Sequence, residues 1–263
     1  MIHPTTVIEP TAKIGKNFKA GPFCYVGPDV TIGDDVELKS HVVITGDTTM
    51  GNGNVIFPFA TIGHVPQDKK FNGEKTTLVI GDNNTFREYV NIHPGTLTGG
   101  SVTKVGSRGL FMVGVHIAHD CIVGDDVVFA NHATLGGHVV VEDFVTIGGL
   151  SGIHQFVRIG AYSMIGALSG VKSDVIPFGI VIGERARLCG LNLIGLKRRG
   201  FTKQTINVLR EAYRSLFEPE PEEKPTLFQD RLQIVIDEYK DVPEIKVLID
   251  FIQSESHRNI CMP

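Results

Sequence analysis

The stretch Val115–Leu150, VHIAHDCIVGDDVVFANHATLGGHVVVEDFVTIGGL, decides the fold. Its large apolar residues return every six positions, at Ile117, Val123, Phe129, Leu135, Val141 and Ile147. A period of six is neither the 3.6 of a helix nor the plain alternation of a strand. It fits short strands joined at corners, each sending one apolar side chain into a narrow core. Working outward, the series begins at Val105 and Phe111 and continues through Ile153, Ile159, Ile165 and Val171. A slip of one residue separates it from an earlier phase, Ile80, Phe86 and Ile92, which itself continues a row from Ile8 through Ile14, Ala20, Val26, Ile32, Leu38, Ile44, Met50 and Ile56 to Ile62. Only 42% of the chain is hydrophobic, so rows this long are not a chance alignment. Glycine often follows the apolar position, as at Gly124, Gly148 and Gly160, which suits a chain that turns a corner every six residues.

This repeat resembles the hexapeptide-repeat family. The resemblance implies an all-β solenoid, a left-handed parallel β-helix of hexapeptide repeats with eighteen residues per coil. Its handedness comes from the resemblance alone, because parallel crossovers are otherwise almost always right-handed. The slot four residues after the apolar one is also small or apolar in many repeats, and Cys24 and Cys121 fall in it as core residues.

Two segments leave the phase. Between Ile62 and Ile80 the six-step lands on Asp68 and Glu74, which a dry core rejects, so HVPQDKKFNGEKTTL should loop outward. GTLTGGSVTK, Gly95–Lys104, is the second excursion. The hexads fade beyond Pro177. From Phe201 the spacing of Ile206, Leu209, Tyr213, Leu216 and Phe217 is helical, with Thr202 as its N-cap. EPEPEEKP should break that helix, and two more helical stretches follow near Leu227–Tyr239 and Pro243–Ile252. The expected organisation is a β-helix over 1–190 with outward loops near 64–78 and 95–104, then a small α-helical C-terminal domain over 191–263.

Composition narrows the function. The net charge of -4 gives no reason to expect nucleic acid, and no run of eighteen apolar residues suggests a membrane span. The N-terminal segment is not of signal-peptide type, so a cytoplasmic protein is expected. Four scattered cysteines, Cys24, Cys121, Cys189 and Cys261, read as free thiols. Against the net acidity, Glu184–Lys203 carries Arg185, Arg187, Lys197, Arg198, Arg199 and Lys203 with one acid, a patch suited to a diphosphate or an acidic carrier protein.

With eighteen residues per coil, residues n and n+18 stack about 4.8 Å apart. His119 then lies beneath Gly137, Asp120 beneath His138 and Gly136 beneath His154, with His116 at the adjoining corner. Three readings compete for this cluster. The histidines could be solvated surface, or they could bind zinc, as three histidines do in one class of carbonic anhydrase built on this fold. They could also hold a general base, which the acidic neighbour, the glycine gap above His119 and the absence of thiolate ligands favour.

HIAHDCIVG, GGHV, IHQF, GLNLIGLKRRGF, PQDKKFNGE and NIHPGT, in their positions along this chain, resemble the UDP-N-acetylglucosamine O-acyltransferase family of lipid A synthesis from end to end. The resemblance implies transfer of a 3-hydroxyacyl chain from acyl carrier protein to the sugar 3-hydroxyl, by a homotrimer needing no cofactor and no metal. It makes His119 the base, Asp120 its support and Gly137 N–H the oxyanion donor. It assigns Asp68, Lys70, His116, His138, His154 and Gln155 to the sugar nucleotide or acyl donor, and Asn192, Arg198 and Arg199 to the nucleotide and phosphate end. Ile194 and Ala167 depart from the residues that some members carry, glutamate and glycine respectively, which leaves a ribose contact and the acyl chain length open.

Overall fold

The computed structural model describes residues 1–218 and 227–263. Most strands are two residues long, and they stack into three sheets of nine, eight and ten strands that form the faces of a triangular prism. Pairing is parallel throughout, except where Gly179–Ile182 meets Arg187–Leu191 in antiparallel register. The coil is left-handed. The second residue of each two-residue strand points inward, so Ile117, Phe129, Leu135, Ile147 and Ile165 are fully buried. Each buried aliphatic side chain contributes roughly 1.5–3 kcal/mol relative to exposure. In the third sheet the inward column stacks Phe86 on Phe111 with ring centroids 4.9 Å apart, and Phe111 meets Phe129 edge-on.

Cys24 and Cys121 lie in the corner slot as the repeat implies, 2% and 0% exposed, and all four cysteines are free thiols. At Asn54 the slot is polar and satisfied internally, whereas the buried Ser163 hydroxyl in the same slot has no partner among the described residues. Asn54 Nδ2 donates to Gly51 O and Gly81 O, and Asn54 Oδ1 accepts from Asn84 N. Corners place non-glycine residues at positive φ, among them Asp120 at 60°, His138 at 62° and Phe156 at 65°. That region is unfavourable for most side chains, bulky ones above all. The neighbouring coil holds it in place, with His138 N donating to His119 O and Phe156 N to Gly137 O.

Ladder partners lie 18 residues apart in the regular coils, but 30 apart across the first insertion and 25 across the second. Strand pairing resumes at Thr77–Ile80 and Val102–Val105, inside the stretches that the broken phase marks as loops. These strands are four residues long and turn a second side chain inward, Leu78 and Thr103, both fully buried.

After Leu191 the chain is helical: α1 (Leu193–Arg198), α2 (Lys203–Phe217), α3 (Phe228–Tyr239) and α4 (Pro243–Gln253). Thr202 caps α2, its Oγ1 accepting from Thr205 N, and Ile206, Leu209, Tyr213, Leu216 and Phe217 form the buried face, as the spacing implies. Of EPEPEEKP, all but Glu218 lies outside the described residues.

Candidate active site

The corner between the first and second sheets carries the histidines. His119 Nδ1 lies 2.7 Å from Asp120 Oδ2, and the two side chains are 14% and 0% exposed. An ionised carboxylate only accepts, so Nδ1 carries the proton and Nε2 is left with its lone pair. Thr96, in the second inserted loop, donates to Asp120 through its backbone N–H (2.8 Å to Oδ1) and its hydroxyl (2.6 Å to Oδ2). Asp120 N donates in turn to Thr103 Oγ1. Burial alone would raise the Asp120 carboxyl, but hydrogen bonds from His119 and Thr96 outweigh it and hold the group below the usual carboxylate range. The carboxylate stays charged and fixes the ring.

Gly137 stands over that ring. A Cβ there would lie 2.5 Å from His119 Cε1 and 2.8 Å from Nε2, so only glycine leaves the imidazole in place. The requirement is close approach, since Gly137 is not among the glycines at positive φ. Among the described residues no backbone carbonyl accepts from its N–H. His138 stands edge-on to His119 with centroids 5.1 Å apart, and its far face stacks on Phe156 at 4.3 Å. Burial depresses the His138 imidazole, only partly offset by the charges of Asp120 and Asp68, which brings the first loop electrostatically to the site.

His116 lies one strand earlier, its Nδ1 2.8 Å from Asn91 Oδ1, and burial, with His119 nearby, lowers it too. Against it stands His93, 2% exposed, edge-on at 5.1 Å, which burial pushes down to about 4. Gln67 N, in the first loop, points at His93 Nδ1 from 3.4 Å. His93, Asn91, Thr96 and Thr103 were not singled out from the sequence. The one signal was that Thr96 falls in the second excursion and that NIHPGT carries Asn91, His93 and Thr96 together.

The remaining residues divide between two places. His154 and Gln155 lie one coil above Gly136 and Gly137, both exposed, and are bound by Arg258 from the C-terminal tail. Lys70 is exposed beside Asp68, its backbone N–H donating to Asp68 Oδ1. Asn192, Arg198 and Arg199 do not join the histidines. They stand at the next corner of the prism, between the second and third sheets, around a cavity of about 170 Å³ lined also by Phe144, Thr146 and Tyr162. Arg199 lies over the Phe144 ring at 4.7 Å and reaches Asp126 O. The Asn192 amide is engaged in the fold: it caps α1 through Gly195 N and donates to Tyr162 O. All six basic residues between Arg185 and Lys203 are exposed, as is Ile194. Among the described residues no helix is long and apolar enough to cross a membrane.

A hexapeptide solenoid that carries a carboxylate-oriented imidazole beneath a glycine on an outer corner defines the hexapeptide-repeat class. Residues 11–46 match the bacterial transferase hexapeptide family, and residues 174–261 match the second domain of UDP-N-acetylglucosamine O-acyltransferase. The chain is 52% identical over 262 residues, spanning 100% of this chain and 98% of the relative, to the acyl-[acyl-carrier-protein]–UDP-N-acetylglucosamine O-acyltransferase of Caulobacter vibrioides. It superimposes on the LpxA of Acinetobacter baumannii with a TM-score of 0.93 at 44% identity, covering 99% of each chain. On the UDP-N-acetylglucosamine acyltransferase of Francisella novicida the TM-score is 0.94 at 36% identity, covering 100% of this chain and 94% of the other. The chain belongs to the acyl-[acyl-carrier-protein]–UDP-N-acetylglucosamine O-acyltransferase family and is an acyltransferase.

Proposed function

We propose that this protein transfers a 3-hydroxyacyl chain from acyl carrier protein to the 3-hydroxyl of UDP-N-acetylglucosamine, in the cytoplasm, as the first step of lipid A biosynthesis. The observation that carries the mechanism is the His119–Asp120 pair beneath Gly137. His119 Nε2 takes the proton of the sugar 3-hydroxyl as its oxygen attacks the thioester carbonyl. Gly137 N–H donates to the oxyanion of the tetrahedral intermediate. As that intermediate collapses, the carbon–sulfur bond breaks and the imidazolium returns its proton to the carrier's thiolate. Asp120 keeps the ring in the Nδ1–H tautomer and stabilises the cation formed in transit. General-base catalysis typically supplies roughly a hundred- to ten-thousand-fold, and one oxyanion donor roughly a hundred- to a thousand-fold.

The proposal places working sites between the subunits of a homotrimer. What supports this is that the histidine corner and the arginine corner of one chain are separated by a whole face of the prism. A sugar nucleotide that engages Asn192, Arg198 and Arg199 while presenting its hydroxyl to His119 needs those two corners from different copies. Asp68, Lys70, His116, His138, His154 and Gln155 then line the sugar and acyl ends.

A panel of acyl-carrier-protein donors and sugar-nucleotide acceptors, read by mass spectrometry, tests the reading. Ester formation on UDP-N-acetylglucosamine from 3-hydroxyacyl donors is expected, and no transfer by folded protein would contradict it. One observation favours a second reading: His119, Asp120 and His138 offer ligand atoms within 4.8 Å of one another, close enough for a zinc ion. Both oxygens of Asp120 already accept from Thr96 and His119, which leaves the carboxylate poorly placed for a metal. Dialysis against a chelator should leave acyl transfer intact; loss of activity in step with bound zinc would favour the metal.

A further inference from the structure

Residues Ser254–Met262 do not end the helical domain in solvent. They run back along the solenoid as a strap, held by backbone bonds from Asp174 N to Asn259 O, Cys261 N to Asp174 O and Leu188 N to Met262 O. The fully buried Asp174 carboxylate anchors it, accepting from Ser256 Oγ at 2.6 Å and from Arg158 Nε at 2.8 Å. Arg158 also donates to Phe251 O and Ser254 Oγ. These contacts fix the strap without help from Arg258.

Arg258 points elsewhere. Its Nε and Nη2 donate to Gln155 O at 3.1 and 2.9 Å, and Nη2 lies 2.7 Å from His154 Nδ1. A guanidinium can only donate, so His154 Nδ1 accepts and the ring proton sits on Nε2. The 3.2 Å approach of His154 Nδ1 to Gln155 O is then a contact between two acceptors, bridged by the arginine. His257, the residue before it on the strap, has its ring centroid 5.1 Å from that of Phe156, which also stacks on His138. One segment of the tail thus braces the corner His154–Phe156, which roofs Gly137 and His138.

We propose that Arg258 is a positioning residue of the acyl-transfer site: it fixes the Gln155 peptide and holds His154 as the Nε2–H tautomer, so that His154 faces the groove as a hydrogen-bond donor and not as a second base. This inference rests on the reading given above. In that reading it removes His154 as a rival of His119 for the acceptor's proton.

Long-range proton–nitrogen NMR of histidine-labelled full-length protein tests it, with the His154 signals assigned by their loss in His154→Gln. The wild type should show His154 protonated on Nε2 alone. Arg258→Ala should give a mixture of tautomers and lower kcat/KM about tenfold, with its melting temperature within a few degrees of wild type; should it not fold, Arg258→Met, which keeps the length of the side chain without a donor, carries the same measurements. A wild-type His154 protonated on Nδ1, or a folded Arg258 variant with unchanged tautomer and unchanged kinetics, would overturn the proposal. The NMR needs no turnover, so failure of acyl transfer in the wild type would count against the functional reading and leave the tautomer assignment to be judged by itself.

Discussion

Two corners of the prism are built alike and do different things. Asp120, His138 and Phe156 at one, and Asp126, Phe144 and Tyr162 at the other, all sit at φ between 55 and 65° and stack coil on coil. The first corner is entered by an inserted loop, whose Thr96 buries and holds a carboxylate against His119. The second is overlaid from outside by the chain after α1, which sets Arg199 over Phe144 and leaves the charge in solvent. The repeat supplies equivalent frames, and the departures from it decide that one frame orients a buried imidazole while the other presents cations to solvent. Burial separates the two: a dry ion–imidazole pair fixes a tautomer, whereas an exposed guanidinium binds and is screened by salt.

Damage to the frame itself should have the largest effect. Ile117→Asp puts an unpaired carboxylate in the fully buried inward slot beneath the site, at a cost of several kcal/mol, and should leave no folded protein by circular dichroism. Gly137→Ala should act on the histidine corner alone. Its Cβ displaces the His119 ring, and misplacement of about 1 Å costs roughly a hundred-fold, so kcat should fall by that order while the melting curve stays close to wild type. Arg199→Ala should act on the other corner, raising KM for the sugar nucleotide about tenfold with little change in kcat and weakening its salt dependence. Equal loss of kcat in both variants would dissolve the distinction between the corners.

Acid should also find the histidine corner first. Burial holds His93 at about 4 in the folded state, against an ordinary 6.5, so the unfolded chain binds a proton that the folded chain refuses. Stability is therefore full above about 6.5 and falls as pH drops from there to 4, by roughly 3 kcal/mol for this group. His116 and His138 are depressed in the same direction, and Asp120, held low by His119 and Thr96, adds its loss at still lower pH. Thermal melts across this range should show the decline, and His93→Gln should flatten it.

The six-residue period made the solenoid legible because one aliphatic side chain per strand is an obligate requirement of so narrow a core. Eighteen-residue stacking then placed Gly137 over His119 and Asp120 under His138, since both lie in regular coils. The same arithmetic could not find Thr96, 24 residues before Asp120, or Asn91, 25 before His116, because an insertion breaks the register between them. Arg258 reaches Gln155 from 103 residues away through the tail, a contact that no local period records. The spacing also gave no hint that the arginines belong to a different corner from the histidines, which depends on which sheet each corner joins.

The central claim is that His119 is chemistry laid on a corner that folds without it. Turnover and melting temperature of His119→Ala, measured on the same preparation, test it most directly. The packing on this face comes from Ile117 and Leu135, both fully buried, so the variant should melt within a few degrees of wild type. Its kcat should fall by roughly a hundred- to ten-thousand-fold while UDP-N-acetylglucosamine still binds. A folded His119→Ala that turns over at close to the wild-type rate would contradict the account.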